Sequence, residues 1–427
     1  MKRAINRVAV TGLGVCSAIG SGLDLFSAGL KSGKSKFSTT QISPREHGSF
    51  RITASINDCS WPDWLEFFRE RNPLLVSRAR KIFNNAPDSA RISARSAMEA
   101  LLHRGMDGGF HQSESTGIIV AGSNLHQEFC ALNQVKFQTN SGSINPRYAL
   151  NFWDTHQVGC LTELFGVGGM SYTLGGASAS GNVALVQAFE SIRFGSLESC
   201  LVVGSSPELS ALEFHALGVM GAVSPEARPE FANRACRPFD RDHQGFVFGQ
   251  GGAAIFLENL EVAKERGAAL LAELAGGAVV MSGNHLSNAS LKPEVRAMTR
   301  ALAASGQNPE SVDYVNAHGT STPMGDAIEC QAVHEVFGGH AKNIWINSTK
   351  SLTGHCLGAS SLLELVACVV QMNDGFLHPN LNLENPIDSE LRFVGSKSVP
   401  VSVQTIMSNA FGFGGFNSSV VIRKLEN

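Results

Sequence analysis

The residues able to do chemistry fall in four short segments. The first, Gly175-Gly176-Ala177-Ser178-Ala179-Ser180-Gly181-Asn182-Val183-Ala184-Leu185, reads as a tight glycine turn opening a helix. Adjacent glycines reach backbone angles that other residues resist. A helix starting there aims free N–H groups and its positive dipole end at the side chain at its head. That field favours a thiolate, but it does not ionise a serine hydroxyl, which needs an adjacent general base to act as a nucleophile. Taken alone, Ser178 is an ordinary helix-capping serine. A hydrolase elbow of Gly-x-Ser-x-Gly type fits poorly, because position 180 is Ser and the glycine falls at 181.

The second segment is Asn316-Ala317-His318-Gly319-Thr320-Ser321-Thr322-Pro323, where His318 follows an apolar strand on a loop. Sites in α/β proteins are built at such strand ends. A Ser/Thr turn capping the next helix accounts for Thr320 and Thr322 equally well. The third is Lys350-Ser351-Leu352-Thr353-Gly354-His355, followed by Glu364 within the apolar run 362–370. A carboxylate inside such a run is costly unless paired, and Lys350 is the candidate partner. The fourth, Ser408-Asn409-Ala410-Phe411-Gly412-Phe413-Gly414-Gly415, is a glycine-rich connection between two strands.

In this order the four segments resemble the β-ketoacyl-acyl-carrier-protein synthases, the thiolase-fold condensing enzymes of fatty acid and polyketide synthesis. The resemblance covers nearly the whole chain. In that family a Cys stands at the position of Ser178 and takes an acyl group, while two histidines promote loss of CO2 from a malonyl-carrier. The resemblance makes His318 and His355 those histidines. It makes Lys350 and Glu364 their supports, and Thr320 and Thr322 hydrogen-bonding partners of a phosphopantetheine arm. The Phe413 N–H would join that of residue 178 in an oxyanion hole, with the Phe413 ring as a gate. Phe239-Asp240-Arg241-Asp242-His243-Gln244-Gly245-Phe246 resembles a family turn packed near the site. Gly176 and Gln250 stand where the family often has Thr and usually has Glu, departures that suit a specialised branch.

Loss of the thiol with both histidines kept implies a decarboxylase. It would convert malonyl-carrier to acetyl-carrier, as do the free-standing synthases of polyketide β-branching cassettes, whose product an HMG-synthase-like enzyme uses. Three rivals stay open. One is a synthase acylated on Ser178 that still condenses. Another is a non-catalytic partner subunit, though such subunits typically lose the histidines too. The third is an acyl-binding module without turnover. The partner implied is an acyl carrier protein, the state a homodimer, and no cofactor is bound permanently.

Composition sets outer limits. The 427 residues are 43% hydrophobic and 17% charged, enough for one or two well-packed domains. A net charge of −3 gives no reason to expect nucleic acid or an anionic membrane. Arg228, Arg234, Arg237 and Arg241 form a candidate basic patch for an acidic carrier, with plain solvated arginines as the equal alternative. The nine cysteines show no CxxC pair, so no disulfide framework or metal site is expected. They read as small apolar residues in a reducing cytosol. The N-terminal apolar run is too short for a signal peptide and reads as a strand. No apolar stretch is long enough to span a bilayer.

Strands are expected at 7–14, 117–122, 200–204, 251–257, 312–316, 344–347, 401–409 and 418–423. Helices are expected at 84–104, 178–194, 259–266, 293–305, 325–337 and 358–372. Alternating elements with continuous apolar strands imply sheets covered on both faces. The family adds a five-layered αβαβα sandwich of two similar halves, divided as 1–258, carrying Ser178, and 259–427, carrying His318, Lys350 and His355.

Overall fold

The apolar runs form strands whose alternate residues belong to different layers. Ile119 and Ala121 pack into one core, whereas Ile118 and Val120, one residue out of phase, pack into another. That is the period-two geometry of a strand buried on both faces. The computed structural model describes residues 5–42, 50–57, 60–105 and 113–425.

The principal strands are β1 (Val8–Ser17), β2 (Thr116–Ala121), β3 (Tyr172–Leu174), β4 (Ser199–Ser205) and β5 (Gly251–Asn259), then β6 (Ala272–Met281), β7 (Tyr314–Asn316), β8 (Trp345–Asn347), β9 (Thr405–Gly412) and β10 (Phe416–Arg423). The first five hydrogen-bond in the order β3-β2-β4-β5-β1 and the second five in the order β8-β7-β9-β10-β6. The two orders are the same pattern. In each set the first three strands are mutually parallel and the last two antiparallel. Val8–Val10 of β1 pairs with Ala272–Leu274 of β6 and joins the sets. Sequence does not align the halves, and topology does.

Six helices cover these sheets: α1 (Asp88–His103), α2 (Thr155–Phe165), α3 (Ser180–Arg193), α4 (Leu291–Ser305), α5 (Pro323–Phe337) and α6 (Ser360–Asp374). Residues of α1 and α2 share a core with the outer face of the first sheet, and those of α4 and α5 with the outer face of the second. The central core holds α3 and α6 between the inner faces of both sheets. The layers therefore run helix, sheet, helix pair, sheet, helix, the expected thiolase-like α/β sandwich.

Most expected elements form with ends shifted by one to four residues. The shifts that matter lie at the site. The helix expected from 178 begins at Ser180, and residues Ala177–Ala179 form a separate tight turn. Likewise α6 starts at Ser360, after a tight turn at Leu357–Ala359. The strand expected at 401–409 runs from Thr405 to Gly412, so the glycine segment begins inside it.

Helices α3 and α6 meet where Gly181 has no side chain. A Cβ there would lie 2.5 Å from the Leu362 amide nitrogen, and the Ser361 hydroxyl accepts a hydrogen bond from the Asn182 N–H at 3.0 Å. Gly181→Ala is therefore expected to destabilise by about 1–3 kcal/mol through overpacking. A urea melt would report it, and an unchanged midpoint would contradict so close a contact.

Candidate active site

The two inner helices and two loops at strand ends bring the four segments together. Ser178 sits in the turn between β3 and α3. Its neighbour Ala177 has φ +49°, a left-handed conformation costly for a residue with a Cβ. At the matching place before α6, Leu357 also has φ +49°. The helix-capping reading of Ser178 does not hold. The Ser180 hydroxyl accepts from the Gly176 N–H and donates to the Ala177 carbonyl. The Ser178 hydroxyl instead lies 2.8 Å from Nε2 of His355.

His355 is held from both sides. Its Nδ1 lies 2.7 Å from the Ser360 hydroxyl. The Phe246 ring meets its ring edge-on at a centroid distance of 5.0 Å. The His318 ring lies 5.7 Å from that of His355, nearly perpendicular. The backbone N–H groups of His318 and Gly319 donate to the two Glu329 carboxylate oxygens, each at 2.8 Å. Asn409 donates to the same carboxylate at 3.2 Å. Burial pushes Glu329 up to about 7 against these donors.

Lys350 ties the histidine loop to the inner helix. Its ammonium donates to Glu364 Oε1 at 2.5 Å and to the His318 carbonyl at 2.6 Å, and lies 3.4 Å from His318 Nδ1. Lys350 and Glu364 are both 1% exposed, so the ion pair expected from the sequence forms in the interior. A lysine ammonium donates and never accepts. Nδ1 of His318 is therefore the acceptor, and the ring proton sits on Nε2. Burial, then the charge of Lys350, depress both histidines well below 6.5, with His355 adding to the effect on His318. Both rings are neutral near pH 7.

Thr320 and Thr322 hydrogen-bond each other through their hydroxyls at 2.7 Å. Thr322 precedes α5 but makes no side-chain cap, so the capping alternative fails here as it did for Ser178. Asp326 builds this turn instead, accepting from the Ser321 and Phe239 N–H groups and lying 3.1 Å from His243 Nδ1. The 239–243 segment thus packs on the His318 loop. Phe413 lies at the exposed tip between β9 and β10. Gly412 is pressed on the Ser178 turn, where a Cβ would come within 2.5 Å of the Gly176 carbonyl oxygen. The ring beside His318 is that of Phe411, 5.6 Å away.

Sequence reasoning passed over Ser360, Glu329 and Asn409. Glu329 lies in a mostly apolar helix, the signal that picked out Glu364. Ser360 gave none. The arginine patch is largely neutralised, because Arg228 pairs with Glu226, Arg234 with Glu384 and Arg237 with Asp240. Seven of the eight described cysteines are buried; Cys59 lies outside the described residues. Gln250 accepts from the Ile56 N–H as a structural amide. Across Phe248, whose backbone bridges to His355, lies a cavity of about 220 Å³ that includes Glu128 and Glu208 in its wall. Burial pushes Glu208 up to about 7.

The fold and this histidine–lysine arrangement define a condensing-enzyme scaffold. Family models agree: a β-ketoacyl synthase N-terminal domain matches residues 5–263 and a C-terminal domain matches 271–384. The chain belongs to the β-ketoacyl synthase family. It is 35% identical to the polyketide biosynthesis malonyl-ACP decarboxylase PksF of Bacillus subtilis, over 98% of this chain and 97% of that one. It is 30% identical to 3-oxoacyl-[acyl-carrier-protein] synthase 1 of Haemophilus influenzae, over 98% and 99%. A solved complex of a type II polyketide-synthase acyl-carrier protein with its ketosynthase, AntDE:AntF, superposes with a TM-score of 0.84 at 25% identity, covering 99% of this chain and all of that one. Among the described residues no helix is long and apolar enough to cross a membrane.

Two consequences of the neutral imidazoles are measurable. A pKa depressed on folding means that the native state binds fewer protons than the unfolded chain. The histidines' contribution to stability is then complete above pH 6.5 and is lost as pH falls toward the depressed values. At pH 6, nitrogen NMR of labelled histidines is expected to show His318 and His355 neutral, with the His318 proton on Nε2. An imidazolium at position 318 would contradict the Lys350 geometry.

Proposed function

We propose that this protein decarboxylates malonyl-carrier to acetyl-carrier and supplies the donor for HMG-synthase-type β-branching in polyketide biosynthesis. The observation that carries this is the pair of buried neutral histidines, one of them hydrogen-bonded to Ser178, a hydroxyl where a condensing enzyme needs a thiol. A neutral Nε2–H donates to the thioester oxygen and gains strength as that oxygen becomes an enolate, so the pair lowers the barrier to CO2 loss. Thr320 and Thr322 would hold the phosphopantetheine arm. The N–H groups of residues 178 and 413 would form the second anion site. Similarity to a malonyl-ACP decarboxylase along nearly the whole chain supports the same reading.

The condensing rival needs Ser178 activated by a base. Among the described residues His355 is the imidazole hydrogen-bonded to Ser178, and burial with the nearby Lys350 makes it a weak base. A useful base has a pKa near the working pH. This favours decarboxylation.

We take the two halves to divide at 258/259 and the working form to be a cytoplasmic homodimer served by an acyl carrier protein. The edge strand β3 lies near a surface where Leu132, Phe137, Leu150 and Trp153 are all more than half exposed. Light scattering should give the mass of two chains, and a monomer would refute the dimer.

Incubated with malonyl-loaded carrier, the protein should yield acetyl-carrier by mass spectrometry, with no acetoacetyl product and no acyl adduct. A stable ester on Ser178 would instead support the condensing rival. His318→Ala and His355→Ala should each lower turnover by about 10²–10³, the usual cost of one such donor. Undiminished turnover in both folded variants would refute the assignment.

A further inference from the structure

Loss of CO2 leaves an enolate that must be protonated at carbon, and a condensing scaffold supplies an acyl electrophile there, not an acid. From the geometry around His355 we infer that Ser178 is the proton donor that converts the enolate to acetyl. The inference rests on the decarboxylase reading above.

Two hydroxyls flank His355. A neutral imidazole has one N–H and one acceptor nitrogen. Nδ1 lies 2.7 Å from Ser360 Oγ, and Nε2 lies 2.8 Å from Ser178 Oγ. If Nε2 carried the lone pair, it would take up the Ser178 proton and present no N–H to an enolate oxygen. An enolate-stabilising His355 therefore carries its proton on Nε2, and Nδ1 accepts from the Ser360 O–H. Ser360 is a positioning residue that fixes this tautomer. Facing a protonated nitrogen, Ser178 accepts through Oγ and turns its own O–H away from the ring, into the space beside both histidines.

Other donors nearby are committed. The ammonium of Lys350 is engaged by Glu364, the His318 carbonyl and His318 Nδ1. The Thr320–Thr322 pair spends one O–H within itself, its other O–H is the one assigned above to the phosphopantetheine arm, and the Ser360 hydroxyl is held at Nδ1. The His318 Nε2–H, and the His355 Nε2–H shared between Ser178 Oγ and the substrate, hold the enolate oxygen, two bonds from the carbon that needs the proton.

The step balances. The C–C bond to the carboxylate breaks, CO2 leaves, and its electron pair becomes the enolate. The enolate carbon takes the proton of Ser178 Oγ, forming the methyl C–H bond and leaving an alkoxide. A thioester enolate is a stronger base than an alkoxide, so the transfer runs downhill. His355 Nε2–H and the head of α3 stabilise the alkoxide, and water reprotonates it once acetyl-carrier leaves. The net change consumes one proton from solvent.

A fixed donor delivers to one face of the enolate, whereas water delivers to both. The test uses malonyl-carrier with tritium in one configuration at C2, decarboxylated in deuterium oxide and read by chiral-methyl analysis of the acetyl group. The unaltered protein should give a chiral methyl. Ser178→Ala should release CO2 more slowly and give a racemic methyl, and Ser178→Thr, which keeps a hydroxyl, should restore chirality. A racemic methyl from the unaltered protein, or a chiral one from Ser178→Ala, would overturn the inference. Absence of any acetyl-carrier from the unaltered protein would instead remove the decarboxylase reading on which it rests.

Discussion

The site depends on one buried cation. An ammonium removed from water is costly unless paired and hydrogen-bonded, and Lys350 is 1% exposed. Glu364 offsets its charge at 2.5 Å, and the His318 carbonyl takes a second N–H. The remaining donor direction faces His318 Nδ1. This arrangement fixes the His318 ring and its tautomer. Together with burial it keeps both histidines neutral. The Glu364 carboxylate is in turn permitted in an apolar helix only because Lys350 is there. Each group is unfavourable alone and tolerable in the set, so the interior of α6 and the loop after β7 are specified together.

The duplicated architecture explains where this set is built. In both halves the third strand leads into an inner helix through a tight turn with a left-handed residue, Ala177 in one and Leu357 in the other. One inner helix follows Ser178, and the other follows His355 and carries Ser360 and Glu364. The helices pack closely at Gly181, which brings two chain segments about 180 residues apart within hydrogen-bonding distance. Backbone strain at such turns persists only where packing over-determines it. Here both turns are pressed between sheets and inner helices.

Replacing a thiol by a hydroxyl changes the chemistry without rebuilding this frame. A thiol at the head of a helix ionises and becomes a nucleophile. A hydroxyl in the same place stays protonated and remains a hydrogen-bond partner or acid. With neutral histidines alongside, the environment favours charge developing on a substrate oxygen over proton removal from Ser178 by His355.

The sequence by itself determined the elements and the chemical inventory. Continuous apolar strands implied sheets covered on both faces, and the order of the Ser178, His318, Lys350–His355 and Phe411–Gly415 segments implied the family. Glu364 in an apolar helix announced a buried partner, because an unpaired carboxylate there would be too costly. Tertiary structure alone decided which hydroxyl meets which ring nitrogen. Local pattern made Ser178 a helix cap and Thr322 another, yet neither caps a helix; Ser180 and Asp326 bond the turns before those helices, leaving Ser178 for His355. Ser360 was silent because nothing near it in sequence distinguishes a positioning hydroxyl from any other, whereas Glu329 carried the same apolar-helix signal as Glu364 and was passed over. Helix capping is local and leaves a mark within a few residues. A hydrogen bond between residues 178 and 355 leaves none, because it exists only once two sheets and two inner helices have packed.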